Sequence, residues 1–128
     1  MANSVDINAS ALSAQRKRMD IIAQNIANAE TTRTPEGGPY RREQVVFTLN
    51  DLGGVDATEV VQDPRPPRLV YQPGHPDADA AGYVALPNVN LVEEMVDMIS
   101  AMRSYEANVT AINAAKTMAQ SALDLGTG

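Results

Sequence analysis

The stretch Ile21–Glu43 reads IIAQNIANAETTRTPEGGPYRRE, and it contains two kinds of chain. In its first half Ile22, Ile26 and Ala29 recur three or four residues apart, the rhythm of one helix face. Its second half is Thr-Thr, Pro, Gly-Gly and paired arginines, with no apolar period at all. A regular helix that breaks so abruptly, so near the start, divides the sequence into a long terminal helix and a turn-rich body of different character.

Upstream, the helical pattern reaches back to about Ser4 and forward to Glu30. A heptad seam can be laid through Val5, Leu12, Met19, Ile22, Ile26 and Ala29, with polar Asn8 and Gln15 filling the two intervening positions. Arg16, Lys17 and Arg18 flank this stripe as a solvated charged face. Downstream, from Thr31 to Pro87, short strand-like runs replace the helix: Gln44–Leu49, Glu59–Gln62, Leu69–Tyr71 and Tyr83–Leu86. Turn-forming clusters separate them at Asn50–Gly54, Pro64–Pro67 and Pro73–Asp77, so a small antiparallel sheet with long loops is expected.

Helical periodicity returns after Pro87. Asn90, with Glu93 three residues on, forms an N-terminal capping arrangement, and Gly126 offers a stop. Met95, Met98, Met102, Tyr105, Val109, Ile112, Lys116, Ala119 and Leu123 alternate three and four apart, a second heptad seam broken only by Lys116. Val92, Val96 and Ile99 add an apolar flank that a single partner helix leaves exposed. The predicted fold is therefore α+β: two terminal helices of roughly 40 and 50 Å packed as an antiparallel coiled-coil-like hairpin, with a β-rich middle inserted between them. The divisions fall at 1–32, 33–87 and 88–128.

Composition limits what such a chain does. With 128 residues, an alanine-leaning apolar fraction, no Trp and one Phe, it makes one modest domain with little core of its own, an element completed by assembly. A net charge of −6 excludes a general nucleic-acid binder, which needs a basic face. The absence of cysteine rules out disulfides and thiolate metal sites. No apolar run approaches a membrane span, and Met1–Ser10 lacks the basic and apolar parts of a cleaved signal peptide, so no direct membrane insertion is expected.

Chemistry-bearing constellations are sparse. His75, Asp77 and Asp79 form a His-x-Asp-x-Asp string, but a proline-flanked turn accounts for them. Glu93, Glu94 and Asp97 complement the dipole of the last helix without acid–base work. No nucleophile, phosphate loop or calcium loop is present, so neither enzyme activity nor a cofactor is expected. Tyr40, Arg41 and Arg42, beside the Gly37–Gly38–Pro39 turn, suit a protein interface equally with a solvated loop. A helical adaptor or chaperone-like binding module is the competing class.

Several segments carry a family resemblance. Ser10-Ala-Leu-Ser-Ala-Gln15, Met19-Asp20 and Asn25-Ile-Ala-Asn28-Ala-Glu-Thr-Thr32 resemble the N-terminal signature of the axial proteins of the bacterial flagellum. Gly37-Gly-Pro-Tyr-Arg-Arg42, Val45-Val-Phe47, Gly82-Tyr-Val84, Pro87-Asn-Val-Asn90, Glu94-Met-Val96, Met98-Ile-Ser100 and Arg103-Ser-Tyr-Glu-Ala-Asn108 sharpen it to the basal-body rod proteins of the FlgC type. Asp51–Ala81 matches nothing in that pattern.

The resemblance implies a structural subunit of the proximal rod, exported by the flagellar type III apparatus without cleavage. Implied partners are copies of itself and other rod proteins, with the rotor base below and the distal rod above. An assembly interface is expected through Leu12, Met19, Asn25, Ile26, Asn28 and Thr32 at one end of the chain. Met95, Met98, Met102, Tyr105, Asn108, Val109 and Ile112 are its counterparts at the other.

Overall fold

A computed structural model describes residues 4–127; the reading of Met1–Ser10 and the outer division limits extend into residues outside that range. Helix α1 spans Ser4–Ala27 and helix α2 spans Leu91–Thr127. Between them run strands β1 (Glu43–Leu49), β2 (Val55–Gln62), β3 (Arg68–Tyr71) and β4 (Tyr83–Leu86). The single small sheet expected from the sequence resolves into two separate antiparallel hairpins, β1–β2 and β3–β4. Each hairpin closes through its own turn residues, and nothing pairs β2 with β3 across the proline-rich Pro64–Pro67 link, since proline cannot donate to a ladder.

Helix α1 is the middle layer. On one side it packs against α2, and on the other it carries β1–β2, burying Ala14, Ile21 and Ile22. Lengths match: Ser10 to Asn25 rises about 22 Å at 1.5 Å per residue, and the seven residues of β1 extend about 23 Å at 3.3 Å each. The hairpin is accordingly fastened at both ends of that stretch. Asn25 pairs with Glu43 at one end, and at the other the Ser10 hydroxyl donates to the Ile7 carbonyl (2.7 Å) and accepts the Val55 N–H (3.0 Å). Hairpin β3–β4 packs on neither helix and is held through the loops around it.

The helices are antiparallel, because Asn25, near the end of α1, meets Glu94 in the first turn of α2. The expected α1 positions from Val5 to Ile26 are all half-buried or buried, and Ala29, beyond the helix end, is buried in the turn that follows. The α2 seam departs from the expected one. Its inward line runs Glu94, Met98, Ala101, Tyr105, Asn108, Ile112 and Ala115, a strict alternation of four and three. Four of the nine expected positions are displaced by one residue, from Met95, Met102, Val109 and Lys116 to Glu94, Ala101, Asn108 and Ala115. Apolar scoring favours methionine and valine, yet small or hydrogen-bonding residues let the helices approach closely. Met95 and Met102 are left outside.

Two helix ends also differ from expectation. Helix α1 stops at Ala27, before Glu30, where a tight turn carries the chain into the Thr31–Tyr40 loop. Asn90 caps α2 as expected, accepting the N–H groups of Val92 and Glu93. Gly126, however, lies within α2 and does not end it. Pairing Asn25 with Glu94 sets Ser4 opposite about residue 115, and from Lys116 to Gly126 every α2 residue is exposed. Some 16 Å of helix therefore projects beyond the described start of α1.

Candidate assembly interface

The loop that leaves α1 turns outward through Gly37 and Gly38, both with left-handed backbone (φ 88° and 75°), which glycine adopts without strain. The chain then comes straight back inward. Tyr40 donates its hydroxyl to Asn25 Oδ1 (2.7 Å), and Asn25 mimics a strand partner for Glu43, accepting its N–H (3.0 Å) and donating to its carbonyl (2.9 Å). A further bond from Asn25 Nδ2 reaches Glu94 Oε2 (3.2 Å), so all four bonding positions of this buried amide are filled.

Arg42 lies at the centre of the same cluster. Its Nε donates to Glu94 Oε1, Nη1 to Asp63 (3.2 Å) and Nη2 to Asp97 (3.4 Å). The Glu94 side chain is 0% exposed. Asp63 is also held by Arg65, and Asn88 joins the Arg42 N–H to the carbonyls of Asp63 and Arg65. The hub thus binds the end of α1, the start of β1, the end of β2 and the entry to α2. A second tie lies farther out, where Asp77 accepts from the Thr32 hydroxyl (2.6 Å) and from Arg33 Nε (2.5 Å). His75 acts in that turn, its Nδ1 accepting the Asp77 N–H.

This placement revises the reading of the acidic first turn of α2. Glu94 is a buried ion-pair partner and not a dipole complement, because the seam carries its carboxylate under Arg42. Of the interface residues expected from sequence, Tyr40 and Arg42 turn into the hub while Arg41 faces solvent. Asn25 and Thr32 bond within the chain; Asn28 bonds to the Gln24 carbonyl and the Thr31 hydroxyl. Leu12, Met19, Ile26, Met98, Tyr105, Asn108, Val109 and Ile112 are half-buried, Val109 beside the inward line of α2 rather than on it. Sequence reasoning assigned no role to Asp63 and Asn88, although Asn88 stands in the Pro87–Asn90 motif.

Removing the Asn25 amide strands the Tyr40 hydroxyl and both Glu43 backbone groups, so Asn25→Ala is expected to cost about 2–3 kcal/mol, against less than about 1 kcal/mol for Asn28→Ala, since Asn28 is half-buried and bonds only within its own turn. Urea midpoints at constant m-value check the difference. The hub also sets pH limits. The hydrogen bonds from Arg65, chiefly, hold Asp63 well below the usual carboxylate range, and the Thr32 hydroxyl and Arg33 lower Asp77. Stability from these groups is present above the unfolded value near about 3.9 and is lost as pH falls below it. Burial, with Glu43 and Glu94 nearby, pushes Tyr40 from 10.0 up to about 12. Its contribution is present below pH 10 and is lost between pH 10 and 12. In Tyr40→Phe that alkaline loss should flatten, and in Asp63→Asn the acid loss should, in denaturation series across pH.

The outer side of α2 has no partner among the described residues. Leu91, Val92, Met95, Val96, Ile99 and Met102 line its first three turns in the open, Val92 at 69% exposure. A cleft of about 400 Å³ borders them, between Arg42, Arg65, Val92, Glu93, Val96 and Asp97. The helical overhang adds exposed Met118, Leu123 and Leu125. Apolar contiguity of this kind marks an interaction surface.

Sequence comparison identifies the family. The flagella basal body rod protein model matches residues 6–33, and the model of the flagellar basal body rod FlgEFG protein C-terminal region matches residues 80–125. The chain is similar to the flagellar basal-body rod protein FlgC of Borreliella burgdorferi, at 48% identity over 94% of both chains. It is equally similar, at 48%, to FlgC of Yersinia enterocolitica over 98% of both. The chain belongs to the FlgC family of flagellar basal-body rod proteins. FlgC of Bacillus subtilis, 43% identical over 97% of both chains, is a further relative. The family match at residues 6–33 ends early in the Thr31–Tyr40 loop, and the second opens just before β4, so the matched segments cover the two helices and the chain beside them. This family places the chain in the flagellar basal body as a structural rod subunit.

Proposed function

We propose that this chain is a non-enzymatic building block of the proximal rod, polymerising through its terminal helices into the hollow drive shaft that transmits torque from rotor to hook. Its neighbours in this reading are copies of itself and other rod proteins, with the rotor base below and the distal rod above. The observation that carries the reading is the unpartnered apolar side of α2: a helix pair with such a face outside is complete only beside further helices.

Long helices suit this load, since their backbone bonds are internal and their seams interdigitate. Residues 1–32 and 88–128 supply the shaft wall, and 33–87 form the body outside it. Passage through the type III apparatus without a cleaved signal is eased where the ends gain part of their packing only on assembly.

Mass spectrometry of purified hook-basal bodies, beside a strain lacking the chain, tests the proposal. The chain should be found intact from near its N-terminus, and rods and hooks should vanish without it. Its absence from clean basal bodies, with rods still formed in the deletion strain, would favour a cytoplasmic adaptor.

A further inference from the structure

The side of α1 turned away from both α2 and β1–β2 differs in kind from the outer side of α2. Ala9, Ser13, Ala23 and Ala27 form an exposed line of small residues at helical spacing, interrupted by exposed Arg16, Lys17 and Asp20, so that cations outnumber the one carboxylate on the line. No ion pair engages either cation among the described residues. On α2 the arrangement is reversed: bulky apolar side chains stand out, and beside them the cleft holds more negative charge than its arginines satisfy. Arg42 is committed to buried Glu94 and Asp63, and Arg65 to Asp63 at 2.8 Å. Asp97 at 3.4 Å from Arg42, and Glu93 at 3.8 Å from Arg65, remain accessible at the edge.

From this double complementarity we infer that the outer side of α2 seats the outer side of α1 from a second copy of this chain, whose Arg16 and Lys17 meet Glu93 and Asp97. The inference rests on the rod reading and deepens it by naming the partner. Large side chains fit where small ones let the backbone approach, as ridges enter grooves. A long cationic side chain reaches over Val92 and Val96 with its aliphatic stem while its charged end finds the carboxylates. The two faces belong to different sides of one molecule, so each pairing leaves one face of each kind free and the contact propagates to a ring or helix. Antiparallel packing of the incoming α1 on α2, as already exists within the chain, leaves every copy pointing the same way, as a shaft with distinct ends requires.

The test uses assembled basal bodies. Because the chain has no cysteine of its own, Lys17→Cys with Glu93→Cys in one chain should give, on oxidation, a ladder at multiples of its mass, while either change alone gives monomer. Charge exchange is the second measurement. Glu93→Lys alone, or Arg16→Glu with Lys17→Glu, should cut the yield of complete basal bodies about tenfold, and all three together should restore it to within about threefold.

A photo-crosslinking residue in place of Val96 identifies the occupant directly. Recovery of the Arg16–Lys17 peptide supports the second copy, and recovery of a peptide from another rod protein overturns it. Monomer only from the double-cysteine chain in intact basal bodies, together with no rescue in the charge exchange, overturns it as well. Absence of the wild-type chain from basal bodies instead removes the rod reading beneath it.

Discussion

Glu94→Ala is expected to destabilise the free subunit by about 3–5 kcal/mol, the usual result of removing one partner from a buried ion pair. That is a large part of the roughly 5–15 kcal/mol that holds a small domain together. The size follows from what remains. Arg42 would keep Asp63 and the more distant Asp97 but lose its shortest contact, and Asn25 Nδ2 would lose one of its two acceptors. Asn25 is buried and Arg42 only slightly exposed, so water replaces the carboxylate poorly at the junction of α1, β1 and α2.

The comparison that separates an unpaired charge from lost packing is the double change Arg42→Met with Glu94→Leu. Asp63 keeps Arg65 in that variant. The double change should therefore cost less than Glu94→Ala alone, because an apolar pair of similar volume replaces an ion pair with little net loss. Urea denaturation of the wild type, of Arg42→Met and Glu94→Leu singly, and of the two together gives the coupling directly. A Glu94→Ala effect below about 1 kcal/mol would mean that the hub is hydrated and that its ion pair contributes as a surface pair does.

The hub also explains what the sequence could and could not disclose. Both helices, the four strands and the Asn90 cap follow from local rules: apolar spacing, turn residues and a side chain that satisfies free N–H groups. The α2 seam does not, because Met95 and Met102 look more like core than Glu94 and Ala101. Only the position of Arg42, brought from 52 residues away, makes Glu94 an acceptable core residue. Asp63 and Asn88 are invisible for the same reason, as each is defined by partners distant in sequence. Even so, the displaced methionines carried information. A seam with more apolar residues than one partner can cover states that a further partner is required.

The second large effect is expected on that surplus face. Val96→Asp and Met102→Asp should leave the unfolding midpoint of the isolated subunit nearly unchanged, since both side chains are solvent-exposed there and surface substitutions typically fall within about 0.5 kcal/mol. In the cell the same changes should prevent rod completion and abolish swimming, because assembly would bury a carboxylate with no partner, a penalty of several kcal/mol at each contact. Ile112→Asp makes the contrast. Its side chain faces α1 within the chain, so that variant should already be destabilised as a free subunit. Thermal or urea unfolding of purified variants, set beside motility and basal-body yield, separates the two faces of one helix. A Val96→Asp strain that swims normally would show that the outer side of α2 stays in solvent in the assembled rod, and the exposed apolar residues would then need another explanation. The opposite outcome, failure to assemble by a subunit that folds as well as the wild type, would show that α2 holds its own fold with one side and its neighbour with the other.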